Sequence, residues 1–330
     1  MSNPLSNAPL PSRSPRRTVS PRSARLLLAP LLALLPTLPL ACLARPTQAA
    51  DAPLPPPPPA PTAGLEDSLM QGARYFDQAI AFVARGGTLG RAVDLYAHLD
   101  VKWDLEDNHH EGEQKVWFQT PDRMRTEIVA AGKAQTKILL GDKAWNILPN
   151  GTVRRVHGTP DAAPQMKQMA EDLVRVQDLT AFVTLEGLKG PGITFQFQGA
   201  TKGDGLYAGN WLKVARRAPD GRKITFWLGM ETAPDGSVRA TAPGVVRIDG
   251  DPATGLWTED WIFSDWDAPR AQPRPYRYPA RLQAWRIHPD PAKVRESPPS
   301  RFLFAAVNDI QINAGIPPQV FTPPAETPGR

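Results

Sequence analysis

Cysteine is almost absent: Cys42 is the only one in 330 residues. The chain can close no disulfide on itself, and beyond that position it offers no thiol nucleophile or thiolate ligand. Histidine is nearly as scarce. Of the five, His98, His157 and His288 are scattered, and no HExxH spacing, G-x-S-x-G elbow or phosphate-binding loop accompanies them. No catalytic residue, metal or cofactor is therefore assigned. The stretch "NHHEGE" (108–113) brings His109, His110, Glu111 and Glu113 together, but consecutive residues at a strand end point in opposite directions and no second cluster adds ligands. The expected structure there is a solvated hairpin turn.

Acidic residues are missing from positions 1–50, which carry Arg13, Arg16, Arg17, Arg22, Arg25 and Arg45. The whole chain has 38 basic and 33 acidic residues and a net charge of +5; setting those six arginines aside leaves 32 against 33, a net charge of −1. The basic excess belongs to the N-terminal segment, which disfavours a nucleic-acid partner for the rest. In that segment "LLLAPLLALLPTLPLACLA" (26–44) is apolar but broken by Pro30, Pro36 and Pro39. Arginines, an interrupted apolar core and "TQAA" (47–50) read as a cleaved export signal over 1–50 in preference to a membrane anchor. Arg16-Arg17 lies too far from the apolar run for twin-arginine export. The expected location is the periplasm. "PLAC" (39–42) resembles a bacterial lipobox in which Ala41 fits and Pro39 does not, so the alternative is a lipoprotein anchored through Cys42.

Residues 51–64 hold "APLPPPPPAP" and read as an extended proline-rich linker. Leu65, Leu69, Phe76, Ile80 and Val83 then follow a helical repeat stopped by Gly86-Gly87. Leu95 to Leu105 alternates apolar and polar over a long strand. In "KVWFQTPDRMRTEIVAAGKAQTKILLGDKAWNILPNGTVRRV" (115–156), Met124, Thr126 and Ile128 share one strand face while Arg123, Arg125 and Glu127 share the other. A helix is expected over 163–179 from Met166, Met169, Leu173 and Val176. Strands resume at 193–200, 210–217, 223–230, 256–265, 278–287 and 301–312. The pattern predicts a mainly β, α+β fold: a strongly curved antiparallel sheet forming an incomplete barrel, with too few helices to cover its apolar face completely.

"KVWFQTPDRMRTEIV" followed by "LLGDKAWNILPNG", with the tail "VNDIQINAGIPPQVFTP" (307–323), resembles the family of periplasmic outer-membrane lipoprotein carriers and lipoprotein-sorting proteins. The resemblance runs over 65–323 in order of elements, leaving 324–330 as a disordered tail. It implies an incomplete β-barrel whose helices form a lid over an apolar cavity that receives acyl chains. Thr120 departs from it, because the carriers place before that proline an arginine that holds the lid shut. About 40 residues around 200–255 match no motif of the family.

Shared parity along neighbouring strands predicts one cavity lined by Val101, Trp103, Val116, Phe118, Met124, Ile128, Ile138, Leu140, Trp145, Ile147, Phe195, Phe197, Phe226 and Leu228. Plain core packing explains any one of these side chains equally well. Exposing a chain of about sixteen CH₂ groups to water costs roughly 13 kcal/mol at about 0.8 per group, so acyl cargo crossing an aqueous compartment needs a shield. The expected function is an exported binding protein that shields the acyl chains of lipids or lipoproteins, with membrane-bound donor and acceptor proteins as candidate partners. An envelope sensor or structural protein of the same fold is the alternative, and an enzyme has the least support.

Overall fold

The structure is a computed structural model that describes residues 63–105, 108–160, 162–254, 256–266 and 274–325. The expected export signal with Cys42, the linker up to residue 62 and the tail from 326 lie outside the described residues. Helix α1 (Ala63–Val83) takes up the last two residues assigned to the linker. Six strands follow: β1 (Asp94–Leu105), β2 (Asn108–Gln119), β3 (Arg123–Ala130), β4 (Lys133–Leu140), β5 (Lys143–Ile147) and β6 (Val153–Arg155). Helix α2 (Ala162–Thr184) then leads to β7 (Thr194–Gly203), β8 (Gly209–Arg217), β9 (Ile224–Thr232), β10 (Val238–Ile248), β11 (Thr258–Ser264), β12 (Arg281–Ile287) and β13 (Ser300–Ile312).

All the strands belong to one 13-stranded sheet of order β6-β5-β4-β3-β2-β1-β13-β12-β11-β10-β9-β8-β7, and every pairing is antiparallel. The sheet is open, with β6 and β7 as its edges. The chain starts in the middle, steps outward to β6, crosses on α2 to β7, and steps back until β13 lies against β1.

That crossing shows the curvature. Met169 of α2 packs with Met124 and Leu139 of β3 and β4, whereas the Phe182 ring lies 6.4 Å from that of Phe226 on β9. Thirteen residues of helix span about 20 Å, yet β4 and β9 are eight strand spacings apart, about 38 Å on a flat sheet. The sheet must curl around the helix for both contacts to form.

The apolar rows point into the curl. Leu95, Ala97, Leu99 and Val101 of β1 face Phe118 and Val116 of β2, and the same core continues through Phe226, Leu228, Val246, Trp261, Leu282 and Ala305. α1 closes it on the side of β7 to β10. Phe76 stacks on Phe195 at 3.8 Å and meets Phe226 edge-on at 5.2 Å. The helix approaches so closely that a Cβ on Gly72 would lie 2.3 Å from the Phe195 carbonyl oxygen, which is why a residue without a side chain stands there.

Three expectations need correction. "NHHEGE" belongs to strand β2, where Gly112 pairs with both Val101 and Ala130; alternation there is masked because both faces carry polar residues. α2 extends beyond 163–179 to Thr184. The region around 200–255, where no strand was expected between 230 and 256, contains β10, and "TAPG" (241–244) lies within it. Pro243 sits between two register shifts against β9, so the proline falls at an irregularity of the ladder.

Candidate binding site

Two tight turns decide which residues of β3, β4 and β5 look into the curl. Ala131 and Gly132 both have positive φ, 49° and 72°, the backbone of a two-residue turn matched to strand twist. Ala130 therefore pairs with Lys133, and Met124 pairs with Leu139. Gly141, with φ 60°, makes the next two-residue turn, so Leu140 pairs with Lys143 and Leu139 with Ala144. Across such a turn the paired numbers add to an odd total, and even residues of one strand share a face with odd residues of the next.

The predicted lining set consequently divides. Val101, Val116, Phe118, Phe195, Phe226 and Leu228 are buried in the main core beneath the helices, with Trp103 and Phe197 packed partly against it. Met124 joins a separate cluster with Leu139, Ala144, Val156 and Met169, and Ile128 is half-buried on the same face between Gln114 and Gln135. Ile138, Leu140, Trp145 and Ile147 lie on the opposite face, clustered with Val153. The prediction of one shared face failed for these four because it carried the parity of β3 unchanged through the two tight turns. The short 3-10 turn Pro318–Phe321 packs over that outer side of β3 and β4, with Phe321 buried, and the Arg125 guanidinium donates to the Val320 carbonyl at 3.0 Å.

The second cluster differs from the main core in its roof. Between Ala162 and Leu179, Met169 is the only buried residue of α2, whereas Thr180 and Phe182 to Thr184 are all buried. Met166, Leu173 and Val176 are only partly buried against Met124, Leu139 and Ala144, and Val174 is exposed. The N-terminal two-thirds of α2 thus lies loosely on an apolar floor.

Two short polar ties hold its C-terminal end. Arg222 donates both ends of its guanidinium to the Asp178 carboxylate at 2.7 and 2.6 Å. Gln177 donates to the Pro121 carbonyl at 2.9 Å. At that turn Thr120 contributes nothing to the helix; its hydroxyl donates to the Val93 carbonyl at 3.2 Å.

Beside the apolar floor runs a polar row, Thr126, Lys137 and Asn146, paired in that order across β3, β4 and β5. The Lys137 side chain is only 14% exposed, and its nearest anion, Asp172 of α2, is 3.9 Å away. Burial pushes the Lys137 pKa down, and the Asp172 charge only partly offsets this. Asn146 donates weakly to Gln165 of α2 at 3.4 Å, and its Oδ1 is buried without a partner among the described residues. The sequence reading missed Leu139, Ala144, Val156 and this row. Gly132 and Gly141 mark the two tight turns in the sequence, but the two-residue length that sets the parity does not follow from the glycines alone.

Among the described residues no group of three His, Cys, Asp or Glu side chains converges on a common point. The side chains of His109 and His110 lie outside the described set, while Glu111 pairs with Lys102 and Glu113 with His98 and Lys115. No described helix is long and apolar enough to cross a membrane.

No family model and no curated protein matches the sequence. Similar solved structures include a DUF1329 family protein from Desulfovibrio piger, 14% identical over 77% of this chain and 97% of that one, with a TM-score of 0.39. They also include an outer membrane lipoprotein-sorting protein domain from Vibrio parahaemolyticus, 13% identical over 78% of this chain and 96% of that one, with a TM-score of 0.37. A third is a LolA superfamily protein from Nitrosomonas europaea, 9% identical over 76% of this chain and 97% of that one, with a TM-score of 0.40.

Proposed function

We propose that the chain is an exported binding protein, not an enzyme, that shields acyl chains of a lipid or lipoprotein in the periplasm. The observation that supports this most is the loosely seated half of α2 over the apolar floor of Met124, Leu139, Ala144 and Val156. An ordinary core is roofed by fully buried side chains, as it is beneath Phe182 and Phe76. Here the roof is a helix of partly buried Met, Leu and Val, whose displacement would open a trough for a flexible chain. Methionines suit such a surface, because an unbranched thioether adapts to more than one packing partner.

In this reading residues 65–323 are the working domain, delivered by the signal and held on the proline-rich linker. Donor and acceptor proteins at the two membranes would load and unload it. The test is a titration of the purified protein with a fluorescent acylated peptide and with the same peptide lacking its acyl chain. Saturable one-to-one binding of the acylated form alone is expected; equal binding of both peptides, or of neither, would overturn the reading.

A further inference from the structure

The polar row beside the floor is out of place in a site built only for hydrocarbon. The Lys137 ammonium carries three N–H donors and makes no hydrogen bond among the described residues; Asp172 stands 3.9 Å from it. Asp172 is itself engaged elsewhere, accepting from Gln168 at 3.1 Å and lying 3.8 Å from Arg175. It would therefore keep partners within α2 if the helix lifted and Lys137 turned to a ligand. Next to Lys137 on the same face, Asn146 leaves a buried Oδ1 unpartnered among the described residues. The two ends of an amide are interchangeable by rotation, so Asn146 can present N–H instead. On the other side Thr126 adds a buried hydroxyl. Directly opposed residues on neighbouring strands have Cβ atoms about 5 Å apart, so the three side chains form a short line of donors. Two residues along β4 lies Leu139, part of the apolar floor. A positive head-group position and an oily trough thus adjoin beneath one loosely held helix.

We propose that Thr126, Lys137 and Asn146 bind the anionic head group of a single-chain amphiphile, a carboxylate or a phosphate monoester, whose tail lies along Met124, Leu139 and Ala144. This rests on the acyl-binding reading above and narrows its cargo to molecules with an anion at the end of the chain. Charge-assisted hydrogen bonds in a water-poor site are the strong ones, and Lys137 supplies the charge while its neighbours fix the orientation.

The probes are hexadecanoate, its methyl ester and hexadecyl phosphate, each competing against a fluorescent acyl probe on the wild type, Lys137→Met and Lys137→Gln, with folding checked by circular dichroism. The wild type should prefer at least one anion over the ester by about tenfold or more, in line with a hydrogen bond to a charged group. Both variants should lose that preference and bind the ester as the wild type does. Preference for hexadecanoate identifies a carboxylate site, and preference for hexadecyl phosphate a phosphate site. Equal affinity of the wild type for acid, phosphate and ester would overturn the head-group assignment and leave the acyl site standing, as would a preference that survives in both variants. Failure of all three probes to bind would overturn both.

Discussion

Burying an ammonium costs several kcal/mol unless partners replace its water, and the Lys137 ammonium is buried with no hydrogen bond among the described residues. Lys137→Met should therefore raise stability at pH 7 by about 1 kcal/mol or more, since apolar replacements of buried charge are often stabilising. The sign with pH follows from the lowered pKa. The folded-state value lies below the unfolded one, so the penalty is fully present below the folded pKa and fades as the pH rises through it. Urea unfolding at pH 7 and near pH 10 should show the gap between variant and wild type shrinking at the higher pH. A variant less stable than the wild type at pH 7 would mean that Asp172 satisfies the lysine after all. The sequence showed that Lys137 and Ile138 point to opposite sides. Which side was inner depended on Ala131-Gly132, and a positive φ at an alanine is not legible from residue type.

At the scale of elements, period-2 and helical spacings located β1, β3, β4, β7, β8, β9, β11, β12, β13 and both helices, because one buried face imposes its pattern on the sequence. The pattern weakened wherever the burial was unusual. β10 is buried on both faces from Ala242 to Val246 and contains a proline, so neither its alternation nor its composition reads as a strand. In α2 the apolar repeat was clear at Met166 to Val176, but that is the half with least burial, while Thr180 and Thr184 sit in the buried half. Their hydroxyls are satisfied within the helix, donating to Val176 and Thr180 carbonyls at 2.6 and 2.9 Å, so polar residue type there did not mean exposure. The loose half is held by the Arg222 and Asp178 pair, whose side chains are 36% and 19% exposed. Water discounts such a pair, and Asp178→Ala should cost only about 1 kcal/mol in global stability. Its local effect should be larger: amide exchange over 165–176 should quicken while α1 keeps its protection. Unchanged exchange in α2 would show that the salt bridge does not hold the helix down.

Across the whole molecule, a long antiparallel meander was legible in the sequence, but the order of its strands was not. The pairing of β1 with β13 joins residues more than two hundred positions apart, and nothing local marks it. It places the first and last described strands at the centre and, among the described residues, makes α2 the only helix between the two edges. The expectation that helices would be too few was half met: α1 and the end of α2 seal one part of the apolar face, and the remainder has only a partly buried roof. If that remainder is where an acyl chain goes, ligand should quieten that part of the molecule and no other. The direct measurement is amide hydrogen exchange of the purified protein with and without a saturating acylated peptide. Added protection should appear at 165–176 of α2 and at β3 to β5, with α1 and β7 to β10 unchanged. Protection confined to α1, or spread evenly over the sheet, would contradict an acyl site beneath α2.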